Sequence, residues 1–261
     1  MSTVIAIANQ KGGVGKTTTT VNVAYVLAQK GQRVLTIDMD PQASLTIYFG
    51  QNPRELEEKQ KTVYWCLSRE DIDLSHFILQ GANGSAHLIP GSIQLAKAEQ
   101  EFAQQWDSVS FLKDTIAQIQ NQYDFILVDC PPTLTLLTVN SLVAANSVLI
   151  PVKTDYLSIM GIPLLIETIE NVRRRQNPQL GIIGVVPTMF NARNKHDNDA
   201  LAEIKESLEP DIRVFDPISR STHFDNAAAE GRSTLELRPN FPAAQNYYSL
   251  TDYLIAYAIK A

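Results

Sequence analysis

A continuous apolar run, Val4-Ile-Ala-Ile-Ala8, opens straight into the loop Asn9-Gln-Lys-Gly-Gly-Val-Gly-Lys-Thr-Thr18, and a helical pattern follows at once. An apolar run without alternation marks a parallel strand buried on both faces. Behind the loop, Val23, Val26 and Leu27, flanked by Ala24 and Ala28, recur at helical spacing from Lys16 to Lys30, and Gly31 supplies a stop. Strand, glycine-rich turn and helix in that order leave few folds open. Backbone N–H groups of the turn and the dipole of the helix converge on one point, where they favour phosphate oxygens.

The same alternation continues down the chain. Strands are expected over 33–38, 125–129, 147–152 and 182–186, and helices near 111–121, 135–144, 159–175, 197–208 and 243–259. Alternating strands and helices imply an α/β fold of the P-loop type, a mostly parallel twisted sheet with helices on both faces. One domain over 1–261 is the expectation from length. Residues 50–105 are polar, with Asn52-Pro53, Gly81 and Pro90-Gly91 as turn signals, and read as an irregular insertion capping one end of the sheet.

Composition removes several classes. The chain is 44% hydrophobic, yet Asp, Lys or Pro interrupts every apolar segment well short of the roughly 20 residues a membrane span needs. Met1 to Thr3 carry no basic residue and the first apolar run ends at Asn9, so no signal peptide is expected. Cys66 and Cys130 lie far apart without metal-ligand spacing, which predicts free thiols in a reduced compartment. A net charge of -6 excludes a chain that coats nucleic acid with its whole surface and leaves room only for a local basic patch.

Within the loop each residue type has a reason. Gly12, Gly13 and Gly15 let the backbone, Val14 included, approach phosphate; Lys16 reaches the β and γ groups; Thr17 offers a hydroxyl to Mg²⁺, and Thr18 supports the α-phosphate. The standard pattern G-x-x-x-x-G-K-[ST] has glycine where this chain has Gln10, and a second lysine, Lys11, follows. A lysine at the loop's entrance cannot easily fold back on its own phosphates, so it is placed to serve a facing subunit. The strand at 33–38 ends in Asp38-Met-Asp-Pro-Gln42 and that at 125–129 in Asp129-Cys-Pro-Pro132, both at the sheet edge where ligands gather. Asp129 is positioned for Mg²⁺. Asp beside Pro is also a common turn former, a reading that fits Asp40 better than Asp38.

This combination resembles the deviant Walker motif of the ParA/MinD family, and Ile89 to Ala96, Leu137 to Leu142, Pro187 to Arg193 and Pro217 to Arg220 extend the likeness over nearly the whole chain. The resemblance implies an ATPase in which Lys11 crosses an ATP-sandwich homodimer. Asp38 then positions the attacking water, while Asp40 and Gln42 stand near Mg²⁺ and phosphate. Met189, Asn191 and Pro217 match the adenine contacts. Arg193, Lys195 and Arg220, extended by Arg173-Arg-Arg175, match a nonspecific DNA surface. Such proteins distribute plasmids, chromosomes or protein cargos such as carboxysomes over the nucleoid, and an adaptor protein stimulates slow hydrolysis. Nothing before Met1-Ser-Thr3 resembles an operator-reading extension, so the match is to the compact, cytoplasmic and nucleoid-associated subgroup. A MinD-like membrane helix is not expected, because 247–261 holds one Lys and an Asp252. Two departures from the family pattern, Asp155 to Met160 and Asn226 to Ala229, bear on partner choice. The other class that fits is a metabolic or assembly ATPase with the same dimer and no DNA.

Overall fold

The computed structural model describes residues 2–68, 72–81 and 86–260. Among them six strands form one all-parallel sheet: β1 (Thr3–Ile7), β2 (Val34–Asp38), β3 (His87–Ile89), β4 (Phe125–Asp129), β5 (Ser147–Lys153) and β6 (Gly181–Thr188). Their order is β3-β2-β4-β1-β5-β6. The first helix, α1 (Lys16–Gln29), follows β1; α2 (Ser44–Tyr48), α3 (Pro53–Glu58) and α4 (Val63–Leu67) precede β3. Next come α5 (Leu95–Phe102), α6 (Phe111–Ala117), α7 (Leu136–Ala144), α8 (Tyr156–Ile159) and α9 (Ile162–Arg175). After β6 follow α10 (Lys195–Leu208), α11 (His223–Ala229), α12 (Thr234–Leu237) and α13 (Gln245–Lys260).

The two faces of the sheet bury alternate residues, as the period of two in a strand requires. Ile5, Ile7, Leu127 and Leu149 pack against Val23, Val26 and Leu27 of α1 and Tyr247, Leu250 and Leu254 of α13. Val4, Ala6, Ile37, Val128 and Ile150 pack with Leu112 and Ile116 of α6, Leu142 of α7, and Leu165 and Ile169 of α9. Each fully buried Leu or Ile contributes about 1.5–3 kcal/mol relative to exposure, so both helical layers hold the sheet firmly. Cys66 and Cys130 are both buried and free. Among the described residues no helix is long and apolar enough to cross a membrane.

Residues 50–105 are not an irregular cap. They contain α3, α4 and α5 and supply the edge strand β3, seated on β2 with Leu35 opposite His87 and Ile37 opposite Ile89. Three residues are too short a run to carry a strand period, and the polar His87 disguises them further. Residues 69–71 and 82–85 of this stretch lie outside the described residues. The helix expected over 159–175 also divides: α8 stops before Gly161, whose carbonyl accepts from Gln10 Nε2 at 2.7 Å. A Cβ at Gly161 would stand 2.9 Å from that same amide nitrogen, which is why a glycine occupies the break.

Candidate nucleotide site

The strand order places β2, β4 and β1 side by side, and the register pairs Asp129 with both Asp38 and Ile7. The glycine-rich loop, Asp38 and Asp129 therefore meet at the carboxyl edge of the sheet, where α/β folds bind ligands. Four hydrogen bonds fix the loop. Asn9 Nδ2 donates to Pro151 O at 2.7 Å, Asn9 Oδ1 accepts from Lys11 N at 3.0 Å, Gln10 reaches Gly161, and Thr188 Oγ1 donates to Val14 O at 2.8 Å. Gly13 and Gly15 take φ values of 69° and 84°, and no atom lies within 4 Å of where a Cβ at Gly13 would be. The loop is thus an open backbone cradle with the left-handed turns that glycine supplies.

Lys16 is 7% exposed, and its Nζ donates to Lys11 O at 2.9 Å, across the loop's own mouth. Thr17 Oγ1 donates to Asp129 Oδ2 at 2.7 Å, and Thr20 Oγ1 to Asp129 Oδ1 at 3.3 Å. The two residues expected at a metal are therefore in contact. The Lys11 side chain, by contrast, makes no hydrogen bond or ion pair among the described residues.

Asp38, expected to position the attacking water, is enclosed by its own chain. It is wholly buried; its Oδ2 accepts from both Thr46 N (2.8 Å) and Thr46 Oγ1 (2.7 Å), and its Oδ1 from Asp40 N at 3.2 Å. A carboxylate so enclosed anchors backbone. Asp40 retains 8% exposure, its Oδ1 accepts from Gln42 N at 2.9 Å, and its Oδ2 has no partner among the described residues. Asp40 also lies near enough to Lys16 for each charge to act on the other. The sequence motif, with its two aspartates two positions apart, does not carry the burial that distinguishes them.

Three carboxylates gather here around one buried ammonium, Lys16, which acts on Asp129 and Asp40. Burial pushes Asp38 up to about 7 and raises Asp40. Burial and then the Asp38 charge raise Asp129, while burial lowers Lys16. This surplus of negative charge, in a donor set of carboxylate and hydroxyl oxygens, suits a hard divalent cation such as Mg²⁺. Thr17, Asp129 and Asp40 are the groups that fit it.

A cavity of about 350 Å³ opens beside the loop, lined by Gly15, Thr18, Met189, Arg220, Phe224 and Tyr247 among others. Met189, expected at the adenine, is one of the lining residues. Pro217, also expected there, does not line it, although the next residue, Ile218, does; the Pro217 carbonyl accepts from Asn246 Nδ2 at 2.9 Å and ties α13 to the chain before it. Asn191 lines a neighbouring cavity with Lys153, Asp155 and Asp197, and Gln42 lines a third, with Asn52 and Ser92. Phe224 and Tyr247 escaped sequence reasoning because only the packing of α11 on α13, ring against ring at 6.3 Å, brings them to the loop.

The basic residues divide. Arg193 and Lys195 are exposed at the start of α10, close in sequence to Asp197 and Asp199. Arg173, Arg174 and Arg175 end α9 exposed, with Arg173 paired to Glu170 at 3.3 Å. Arg220 is exposed but lines the cavity beside the loop as well as the one holding Asn191.

A family model described as an AAA domain matches residues 2–182. The Bacillus subtilis sporulation initiation inhibitor protein Soj is 36% identical over 98% of this chain and 99% of its own. The chromosome-partitioning ATPase Soj of Thermus thermophilus is 33% identical over 97% and 95%. This chain belongs to the ParA-type ATPases. Among solved structures, cobyrinic acid a,c-diamide synthase from Mycobacterium smegmatis with bound ADP and magnesium is similar at a TM-score of 0.83 and 31% identity, over 98% of this chain and 94% of that one. McdA from Cyanothece is similar at 0.87 and 25%, over 97% and 100%. The ParA-type fold thus accounts for both ends of the chain, including the segment beyond the matched model.

Proposed function

We propose that this chain is a positioning ATPase that binds Mg-ATP in the loop Lys11 to Thr18, closes into a face-to-face homodimer, and in that state binds DNA nonspecifically. The observation that carries the reading is the contrast between its two lysines: Lys16 is buried and bound to the loop, while the Lys11 ammonium has no hydrogen-bond or ion-pair partner among the described residues. An unpaired cation at the mouth of a phosphate cradle is positioned for the phosphates of a facing copy. Self-association has a second support in Tyr156, Leu157, Met160 and Leu164, which are 51–68% exposed. They flank Gly161, which Gln10 holds against the loop. Clustered apolar exposure of this kind marks interaction surfaces.

Hydrolysis of the terminal phosphate is a matter of positioning and charge. Lys16 and the partner copy's lysine supply positive charge, and the free Oδ2 of Asp40 orients the attacking water. Asp38 holds Asp40 in place. When bound, Mg²⁺ would neutralise phosphate charge, held by Thr17 and Asp129. The cavity of Met189, Phe224 and Tyr247 takes the base, and Arg220 at its mouth relates nucleotide to surface. Arg193, Lys195 and Arg173 to Arg175 furnish the DNA contacts, and each phosphate neutralised steepens the salt dependence by about 0.9. An adaptor protein that stimulates hydrolysis completes the cycle.

Similarity to the named synthase favours a second reading, a metabolic or assembly ATPase with the same nucleotide chemistry and no DNA. Retention of the protein on nonspecific duplex DNA, measured without nucleotide, with ADP and with Mg-ATP at several salt concentrations, separates the two. Salt-sensitive binding with Mg-ATP alone supports the first. ATP binding without DNA retention in any state leaves the second.

A further inference from the structure

Thr46, at the third position of α2, is wholly buried, and both of its donors point at one atom. Its N–H and its hydroxyl reach Asp38 Oδ2 at 2.8 and 2.7 Å. Gly91 N–H in turn donates to Thr46 Oγ1 at 2.8 Å. A hydroxyl has one proton and two lone pairs. With Gly91 occupying an acceptor site, the proton is committed to Asp38, and the two donors fill Oδ2. Only Oδ1 remains, and it receives Asp40 N–H. The chain of contacts Gly91–Thr46–Asp38–Asp40 therefore runs from the back of the site to the backbone of the carboxylate that faces Lys16.

Gly91 has no substitute here. A Cβ at that position would lie 2.8 Å from Asp38 Cγ and 2.9 Å from Asp38 O. Its neighbours are pinned as well: Pro90 O accepts from Val63 N at 2.7 Å, and Ser92 Oγ donates to Glu57 Oε2. The segment that the sequence presents as a turn at Pro90-Gly91 is thus the rigid back wall of the β2 loop. Loop 40–43 is held at its other end by Ala43 N donating to Asp40 O at 2.8 Å, with Ala43 at φ 52°.

We propose that Thr46 and Gly91 are positioning residues for hydrolysis: they clamp Asp38, and through it set the place of Asp40. This rests on the reading that Asp40 orients the water. A misplacement of about 1 Å in a reacting group costs up to about 100-fold in rate, without equal loss of substrate binding. Thr46→Val keeps the shape and the N–H but removes the hydroxyl; Thr46→Ser keeps both donors.

Steady-state ATP hydrolysis by the purified full chain, with urea unfolding alongside, tests this. Thr46→Val is expected to lower kcat by about 10- to 100-fold with KM for ATP within about twofold, and Thr46→Ser to stay within about threefold of wild type. Thr46→Cys, with a weak S–H donor, should fall between and serves where Val does not fold. A Val or Cys variant with wild-type kcat overturns the proposal, as does a Ser variant as slow as Val, because shape and not the hydroxyl would then matter. Asp40→Ala separates the two levels. If it hydrolyses at the wild-type rate, the reading of Asp40 itself falls; if it is inactive while Thr46→Val is unimpaired, only the clamp falls.

Discussion

Thr188→Val isolates the contribution of one hydrogen bond to the phosphate loop. Thr188 ends β6 at 3% exposure, and its hydroxyl donates to Val14 O at 2.8 Å, joining the sheet to a loop residue that is itself 1% exposed. Valine has the same shape, so packing against Gly15, where Thr188 Cγ2 lies 3.7 Å from an added Cβ, is preserved. The variant removes the donor and leaves the Val14 carbonyl without it in a buried setting. That penalty is about 1–3 kcal/mol, against about 1 kcal/mol for an exposed bond. Urea unfolding should show a lower midpoint with an unchanged m-value. The loop is also the nucleotide cradle, so part of the loss should appear in binding, as an ATP Kd weaker by about 3- to 10-fold in a fluorescence titration. A variant within about 0.3 kcal/mol of wild type, with unchanged Kd, would refute the view that β6 holds the loop through this hydroxyl.

Other perturbations have equally definite outcomes. Asp38 is held up to about 7 by burial, so the fold binds its proton more tightly than the unfolded chain does. Asp129, wholly buried beside it, is pushed up to about 8 by burial and by the Asp38 charge, so nucleotide-free stability should fall as pH rises from about 4 to about 8 and level off above, with Asp38 contributing up to ~4 kcal/mol as an order of magnitude. Asp38→Asn should reduce this fall in urea midpoints taken at pH 5.5 and 8.5 and leave the part due to Asp129, and a flat wild-type profile would contradict the assignment. Lys16→Ala should weaken ATP binding by 10-fold or more, to order of magnitude, in equilibrium titration, while Lys11→Ala leaves the monomer's affinity near wild type. Equal losses would remove the division of labour between the lysines. Gly184→Ala would bring a Cβ to 2.5 Å from Arg213 O and 2.7 Å from Phe215 Cε2, so its unfolding free energy should drop by about 3 kcal/mol, the upper end of overpacking costs.

Long apolar runs made β1, β2, β4, β5 and β6 legible in the sequence, and the loop at 9–18 made the phosphate cradle so, because in each case the signal is local. What escaped was set by distant contacts. β3 is a strand only because β2 offers it an edge, and the cavity beside the loop forms only where α11 meets α13. Met189 was found through its likeness to a known motif; Phe224 and Tyr247 have no motif of their own. The two aspartates of Asp38-Met-Asp40 look alike in sequence. Burial and hydrogen-bond saturation, which depend on Thr46 and Gly91, separate them.

Sedimentation equilibrium of the wild-type chain, Asp40→Ala and Lys11→Ala, each without nucleotide, with ADP and with Mg-ATP, tests the central claim most directly. Asp40→Ala should hold the ATP state and sediment at twice the monomer mass with Mg-ATP alone, and Lys11→Ala should remain monomeric throughout. A chain that stays monomeric with Mg-ATP in every variant, or a dimer indifferent to the loss of Lys11, would contradict the account.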